Sequence, residues 1–283
     1  FVGSVRCVQE TAPSPMMLSH RIMDDLSPTR ILLLGGSTEA SALAIVLAGD
    51  ERFDTVLSLA GATRSPRPQP VPVRRGGFGG VAGLAAFLRA EAVDLLIDAT
   101  HPFAAQMSRH AVEAAALACV PLLRIERPAW MPGEGDRWTP VPDMDSATRA
   151  LGGAWGEAPR RVLLTVGQKE LAPFRAAPWH HYLIRSIDPP DPASLPPRAT
   201  FLPGAGPFTV EAERRLLREH GIEAIVTKNS GGLATAAKLG AARDLGLPVV
   251  MVSRPPLPPA ETATDSDGAL RWLLARHEAL RGA

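Results

Sequence analysis

The chain has 283 residues, enough for one or two domains with a sizeable hydrophobic core. Its formal net charge of +1 gives no electrostatic argument for nucleic-acid binding, and no apolar run approaches the ~18 residues of a membrane span. Two cysteines, Cys7 and Cys119, form neither a disulfide framework nor a metal cluster, so a reducing cytoplasm is the simplest compartment. Residues 1–28 lack periodicity, and we expect a disordered tail or a leader outside the fold.

The first half of the chain alternates short apolar runs with alanine-rich stretches of helical length. This pattern is typical of βαβ units in a parallel sheet. Right-handed crossovers then place the carboxyl ends of all strands at one edge of that sheet, where ligands of such folds bind. Strands are predicted at 30–34, 55–59, 71–74, 93–98 and 121–125, and helices at 38–48, 81–91 and 104–118.

The first predicted strand runs directly into a glycine pair and then into a helix. A turn of this kind leaves free backbone N–H groups at a helix N-terminus, which is a ready site for a phosphate. The turn departs from the G-x-G-x-x-G pattern, and a tight turn that serves packing alone is the alternative. The residues expected to bind a nucleotide here are Gly35, Gly36, Ser37, Thr38 and Glu39.

The second and third strands end in segments that favour NADP over NAD. No carboxylate follows the second strand; Ser58, Gly61, Arg64 and Arg67 lie there instead. Guanidinium groups match the geometry of a 2′-phosphate, although a solvated basic loop is the alternative. The third strand is followed by four glycines, of which Gly77 is expected to let the backbone approach the cofactor, unless the segment is only a flexible connection.

The fourth strand ends in a cluster of polar residues, Asp98, Thr100 and His101. Pro102 is expected in the first turn of the following helix, which places the cluster near that helix N-terminus. A histidine at this position could donate a proton or bind an anion. The alternative is that Asp98 or Thr100 caps the helix while His101 packs passively.

The second half repeats the alternation, which predicts a two-domain, doubly wound α/β protein with mainly parallel sheets. The predicted division is an NADP-binding domain at 29–140 and a substrate-side domain at 141–283, with the boundary in the Pro-, Gly- and Trp-rich segment 127–160. Pro207 is expected in the first turn of one helix and Gly221 at its end. Strands are predicted at 161–166, 181–186, 222–227 and 247–252, and helices at 208–220, 233–245 and 267–280.

Three motifs in this order resemble the precorrin-6A reductase family of cobalamin biosynthesis. They are Gly35-Gly-Ser-Thr-Glu-Ala40, Asp98-Ala-Thr-His-Pro-Phe-Ala104 and Thr227-Lys-Asn-Ser-Gly-Gly232, the last followed by Lys238-Leu-Gly-Ala-Ala-Arg243 and Arg254-Pro255. The resemblance covers the chain from about residue 30 onward. It implies two Rossmann-like domains with a cleft between them and an NADPH-dependent reduction of one C=C bond of precorrin-6A, giving precorrin-6B.

The resemblance also implies roles for individual residues. Segments 35–39, 98–102 and 228–231 would face cofactor and substrate. The expected cofactor-binding set therefore also includes Asp98, Thr100, Pro102, Ser230 and Gly231. When a C=C bond is reduced, one carbon receives a hydride and its neighbour receives a proton. His101 is the first candidate for the proton donor and Lys228 the second, with water as the alternative. Lys228 could instead hold a substrate carboxylate or a cofactor phosphate. Further cations for a carboxylate-rich tetrapyrrole would be Lys169, Arg175, His180, His181 and Arg185, each of which could equally be ordinary surface charge.

Several other functions remain open at this point. The substrate could be the cobalt complex of precorrin-6A, or the chain could be a non-catalytic NADP-binding sensor or a methyltransferase of the same pathway. A short-chain oxidoreductase is disfavoured, because the single tyrosine, Tyr182, is followed four residues later by Ser186 instead of a lysine. We expect a monomer or a weak homo-oligomer, without nucleic-acid or membrane partners and without a metal.

Overall fold

The structure is a computed structural model that describes residues 27–61, 67–152 and 158–282. It confirms the α/β class, with two compact units that each contain a six-stranded sheet. Within the described residues, the first unit comprises 27–61, 67–126 and 257–282, and the second comprises 127–152 and 158–256. The predicted tail lies almost entirely outside the described residues, and the cleft implied by the resemblance stays a prediction.

The sheet of the first unit has the strand order β3–β2–β1–β4–β5–β12, and every neighbouring pair is parallel. This is the doubly wound order, in which the winding direction reverses between β1 and β4. We call the carboxyl ends of β1 and β4 the first reversal point. The strands are β1 Thr29–Leu34, β2 Phe53–Leu59, β3 Val73–Arg75, β4 Leu95–Asp98, β5 Leu122–Ile125 and β12 Glu261–Ala263, and the helices are α1 Thr38–Leu47, α2 Gly80–Ala90, α3 Ala105–Ala118 and α7 Ser266–Arg281.

Helices cover both faces of this sheet, which explains why its central strand is a continuous apolar run. Ile31 and Leu33 face one side, where α1 and α7 supply Leu43 and Leu273. Leu32 and Leu34 face the other side, where α2 and α3 pack. Side chains alternate between the faces of a strand, so a strand covered on both sides must be apolar throughout.

The C-terminal segment lies in the first unit, whereas the sequence analysis assigned 141–283 to the second. β12 pairs with β5, with Thr262 opposite Arg124, and α7 buries Ala269 and Leu273 in the core of the first unit. A three-residue edge strand has too few positions to show an alternating pattern, so the sequence did not reveal it. The predicted boundary at 140/141 also differs, because it falls within the strand Arg137–Val141, which belongs to the second sheet.

The sheet of the second unit has the order β9–β8–β7–β10–β11–β6, again with every neighbouring pair parallel. The winding reverses between β7 and β10, and we call their carboxyl ends the second reversal point. β6, β9 and α4 were not predicted. The strands are β6 Arg137–Val141, β7 Arg161–Thr165, β8 His181–Ser186, β9 Ala199–Pro203, β10 Ala224–Lys228 and β11 Pro248–Val252, and the helices are α4 Met144–Gly152, α5 Val210–Glu219 and α6 Ala237–Asp244.

Two helix starts in the second unit differ from the prediction. α5 is capped by Thr209, whose side chain accepts from the backbone N–H of Ala212, so Pro207 precedes the helix instead of lying in its first turn. The segment predicted as a helix from residue 233 begins as the 3₁₀ turn Leu233–Thr235, and α6 follows it. The end of α5 is as expected, since Gly221 follows it with φ +58°.

The crossover from β7 to β8 contains no α-helix. Two 3₁₀ turns, Gln168–Glu170 and Ala172–Ala176, replace it, and the buried side chain of Phe174 fixes the second turn against Tyr182. The two reversal points therefore differ, because α1 follows β1 but no α-helix follows β7.

None of the helices that the structure describes is long and apolar enough to cross a membrane. Within the same ranges, no three potential metal-binding side chains come together.

Candidate functional site

Of the two glycines after β1, Gly35 is tightly packed and Gly36 has open space beside it. Gly35 donates its N–H to Ser58 O at 2.9 Å, and a Cβ at Gly35 would lie 2.5 Å from Leu57 Cδ1. Gly36 has φ +123°, and nothing lies within 4 Å of the position that a Cβ would occupy. The turn is therefore pressed against β2 at Gly35, while the backbone at Gly36 is accessible, as a close-binding phosphate requires.

Ser37 ties the two sides of the first reversal point together. It is the N-cap of α1, with its Oγ accepting from Ala40 N at 3.1 Å and donating to Ala99 O at 2.7 Å. Thr38 begins the helix and donates to the carboxylate of Glu39 at 3.0 Å. The positive end of the α1 dipole thus lies at the carboxyl edge of the sheet, as predicted for an anion site.

Arg74 organises the adjacent strand ends, a role that the sequence did not indicate. Its guanidinium donates to Gly76 O at 2.6 Å and Gly77 O at 2.7 Å, and it lies 3.8 Å above the ring of Phe78. Ser58 is buried, with its Oγ 3.5 Å from the same guanidinium. Ser58 therefore lies in a packed position, and the loop after β3 has a defined shape.

The basic loop after β2 is described only in part. Gly61 has φ +74° with open space beside it, and Arg67 is exposed. Arg64 lies outside the described residues, so the preference for NADP stays a prediction. Gly77 also has nothing within 4 Å of a Cβ position, which leaves the backbone after β3 accessible.

The polar cluster after β4 stabilises its own turn. Asp98 is buried; its Oδ1 accepts from the backbone N–H of Thr100 at 3.2 Å and from its hydroxyl at 2.7 Å, while Oδ2 lies 3.6 Å from Arg124 Nε. The alternative, capping of the helix by Asp98 or Thr100, is not observed, because α3 begins at Ala105 and its N-cap, Ala104, makes no side-chain bond. Pro102 therefore lies in the turn before the helix.

His101 lies in that turn at the first reversal point. Its Nδ1 accepts the backbone N–H of Phe103 at 3.2 Å, and the two rings are 5.9 Å apart. A neutral imidazole that accepts at Nδ1 carries its proton on Nε2. The turn therefore holds the ring in the tautomer that can donate from Nε2.

Lys228 lies at the second reversal point and forms an ion pair. Its Nζ is 2.6 Å from Glu170 Oε2, and the two side chains are 16% and 34% exposed. Gly167 has φ +103°, and a Cβ there would lie 3.7 Å from Lys228 Nζ. Glu170 was not identified from the sequence, because its loop carries no motif and the contact joins residues 58 positions apart.

The backbone after Lys228 is fastened on several sides. Asn229 exchanges two hydrogen bonds with the backbone of Trp130, at 2.8 and 2.9 Å. The carbonyl of Ser230 accepts from Arg127 Nε at 2.6 Å and from Arg254 Nη2 at 3.2 Å. The turn that carries Lys228 is therefore rigid, which favours a precisely placed side chain.

Gly231 packs against the chain itself, which differs from the ligand-facing glycine expected from the sequence. It has φ +73°, and a Cβ there would lie 2.0 Å from Pro128 O and 2.6 Å from Arg254 Nη2. The side chain of Ser230 is also buried. A glycine is therefore needed at position 231 because the chain passes close to the backbone of Pro128 there.

The five further cations divide into two groups. His180 and Arg185 are buried, and Arg185 Nη1 lies 2.6 Å from Glu213 Oε1, so neither is ordinary surface charge. Lys169, Arg175 and His181 are exposed. A buried lysine that had no predicted role, Lys238, donates to Thr235 O at 2.6 Å and lies 4.8 Å from the centre of the Trp130 ring.

Comparison with known proteins identifies the family. The family model described as "Precorrin-6x reductase CbiJ/CobK" matches residues 30–274. A precorrin-6A reductase of Rhodobacter capsulatus is 49% identical over 90% of this chain and 99% of its own length. One of Rhodococcus erythropolis is also 49% identical, over 87% of this chain and 97% of its own length. A solved structure described as CobK precorrin-6A reductase has 49% identity and a TM-score of 0.82, covering 88% of this chain and 97% of that one. The chain belongs to the precorrin-6x reductase CbiJ/CobK family.

Proposed function

We propose that this chain catalyses the NADPH-dependent reduction of one C=C bond of precorrin-6A, giving precorrin-6B. The observation that carries the proposal is the accessible strand-to-helix turn at the first reversal point, in a chain of this family. Relatives named precorrin-6A reductase are 49% identical along nearly their whole length. A cytoplasmic monomer or weak homo-oligomer is proposed on the same basis.

The residues at this edge fit a dinucleotide. Three glycines that follow β1, β2 and β3 have no atom within 4 Å of a Cβ position, and these are Gly36, Gly61 and Gly77. The N-terminus of α1 would hold the cofactor phosphates, with Ser37 and Thr38 at its first turn. Bound there, NADPH would supply the hydride, and the protein would supply placement and electrostatics.

His101 is the proposed proton donor. It lies after β4, beside the proposed phosphate site. It would give up the Nε2 proton as the imidazolium, in which Nδ1 also carries a proton and the bond from Phe103 N to the neutral ring is broken. Asp98 and Thr100 act indirectly, since their mutual hydrogen bonds hold the turn that positions His101. Placement of this kind is what general acid catalysis requires, because proton transfer needs a donor within hydrogen-bond reach.

The test is turnover by the purified protein. With NADPH and precorrin-6A, we expect oxidation of the cofactor and a product two hydrogens heavier than the substrate, with one deuterium transferred from deuterated NADPH. Binding of NADPH without turnover would contradict the proposal and indicate a sensor. Parallel titration with NADH, repeated with Arg64→Ala and Arg67→Ala, tests the NADP preference; equal affinity for both cofactors would exclude it.

A further inference from the structure

The two sheets share one strand order, but their reversal points carry different chemistry. In the first unit, β1 leads through a glycine turn to the N-terminus of α1. In the second, β7 leads to a three-residue 3₁₀ turn that ends in Glu170. A helix N-terminus attracts phosphate, whereas a carboxylate in its place repels it. The second reversal point therefore lacks the helix N-terminus that the first one offers to a phosphate.

Besides the exposed Lys169, the second reversal point presents the well-defined ammonium group of Lys228. Lys228 ends β10, and its Nζ is held 2.6 Å from Glu170 Oε2. Its backbone is fixed by the bonds of Asn229 and Ser230 to neighbouring segments. The stem of a lysine is otherwise flexible, so the acid decides where the charge lies.

We propose that Glu170 is a positioning residue, which aims the ammonium of Lys228 at a carboxylate of the tetrapyrrole substrate on the carboxyl edge of the second sheet. This inference rests on the proposed function. An ammonium has three N–H donors, and the one given to Glu170 fixes the direction of the others. The ordering is then complete before the substrate binds, which favours affinity.

A contribution to folding does not account for the pair. Both side chains remain partly exposed, at 16% and 34%, and ion pairs of that kind contribute little to stability. Gly167 keeps the space beside the pair open, since a Cβ there would stand 3.7 Å from Lys228 Nζ and 3.8 Å from Glu170 Oε2. A partly exposed, rigidly mounted charge at the ligand edge of a parallel sheet is suited to an anionic group of a ligand.

The experiment is a double-mutant cycle with Glu170→Gln, Lys228→Met and the double variant. The main measurement is the Kd of precorrin-6A without NADPH, followed by visible absorbance, together with KM and kcat. We expect Glu170→Gln to weaken substrate binding and raise KM about tenfold, with kcat nearly unchanged. In the Lys228→Met background, the same change is expected to have no further effect, because Glu170 acts through Lys228.

Three controls keep the outcome specific. Glu211→Gln removes a carboxylate from an exposed pair with Arg214 on α5 and is expected to change nothing. Glu170→Asp keeps the charge and is expected to restore part of the affinity. The affinity for NADPH, measured by fluorescence, is expected to be the same in all variants.

An unchanged Kd in Glu170→Gln, or an equal loss in the Lys228→Met background, would overturn the inference. If the proposed function is wrong, the wild-type protein will show no turnover of precorrin-6A. The Kd of precorrin-6A, and therefore the double-mutant cycle, can still be measured in that case.

Discussion

Lys238 lies in an environment far from that of a free lysine side chain. It is buried beside Arg185 and Glu213, and loss of hydration, together with the charge of Arg185, lowers its pKa to about 7. The free energy of unfolding must therefore depend on pH. Between pH 7 and the ordinary lysine range the unfolded chain binds a proton that the folded chain does not, so stability rises with pH across that window.

Replacing Lys238 with Met tests this dependence. In the wild-type protein we expect the free energy of unfolding to rise between pH 7.5 and 9, with a contribution from this group of at most about 1.4 kcal/mol per pH unit. The variant is expected to lose that rise, whereas Lys169→Met, at an exposed position, is expected to keep it. Denaturant unfolding at each pH measures both, and equal slopes in all three proteins would contradict the assignment.

His101 is tested at the same scale by His101→Ala. If its imidazole delivers the proton, kcat is expected to fall by about 10²- to 10⁴-fold while the affinity for NADPH is retained. Substrate turnover and a fluorescence titration measure the two quantities separately. A near-normal kcat would assign the proton to water. The control is Thr38→Ala, an exposed residue in the first turn of α1, which shows how much kcat changes when a residue near the cofactor is altered without loss of a proton donor.

Residues with local signals could be read from the sequence, and residues defined by distant partners could not. Gly36 and Ser37 belong to a strand-to-helix turn, whose chemistry follows from adjacent residues. Glu170 acquires its role from Lys228, 58 positions along the chain, whereas Arg74 bonds to the nearby carbonyls of Gly76 and Gly77 in a pattern that no recognised motif indicates. The backbone at Gly36 is accessible, as the predicted phosphate site requires, whereas Gly231 packs against Pro128 O instead of facing open space.

At the scale of elements, Pro102 and Pro207 were each predicted in the first turn of a helix, but each lies in the turn before it. Both differences have the same cause. Proline fits the first turn of a helix, but it fits a preceding turn equally well, because its φ suits both. The segment from His101 to Ala104 is such a turn, closed by a 2.7 Å bond from Ala104 N to His101 O. The helix begins after it. Strand positions were predicted better, because a buried parallel strand is a continuous apolar run.

Gly231→Ala separates a packing glycine from a ligand-binding one. The new Cβ would meet the backbone oxygen of Pro128 at 2.0 Å and require φ +73°, so we expect a loss of about 2–4 kcal/mol of stability. Gly36→Ala has a similar backbone requirement, φ +123°, but no neighbouring atom, so its stability loss is expected to be smaller and its effect on NADPH affinity larger. Thermal unfolding and NADPH titration of both variants give the comparison. A reversed order of the two stability losses would show that Gly231 is not tightly packed.

At the scale of the whole molecule, the sequence predicted two Rossmann-like units but not which segments complete them. In each sheet, five strands are consecutive in the chain, and each pairs with its neighbour in sequence except at the one crossover where the winding reverses. The sixth strand of each sheet comes from outside that run: β12 arrives from the C-terminal end, and β6 precedes β7. Neither has a neighbour in sequence that identifies its partner, so the division of the chain could not be derived from local patterns.

The C-terminal segment is therefore expected to be essential for cofactor binding, although it lies far along the chain from the glycine turn. Truncation after Pro256 removes β12 and α7, which bury Ala269 and Leu273 against the core that also contains Leu33 and Leu43. Truncating one buried leucine to alanine costs about 2–5 kcal/mol. Loss of a whole covering layer exceeds what a domain of ~5–15 kcal/mol stability withstands.

The truncated chain is expected to lose NADPH binding and the thermal transition of the first unit, while the second sheet keeps all of its strands. Fluorescence titration and calorimetry measure the two effects. A shorter truncation, after Glu278, retains His277, whose ring nitrogen lies 2.7 Å from the hydroxyl of Thr29, and is expected to bind NADPH normally. If truncation after Pro256 left NADPH affinity intact, the first unit would be complete without its C-terminal layer, and the cofactor site would rest on residues 27–126 alone.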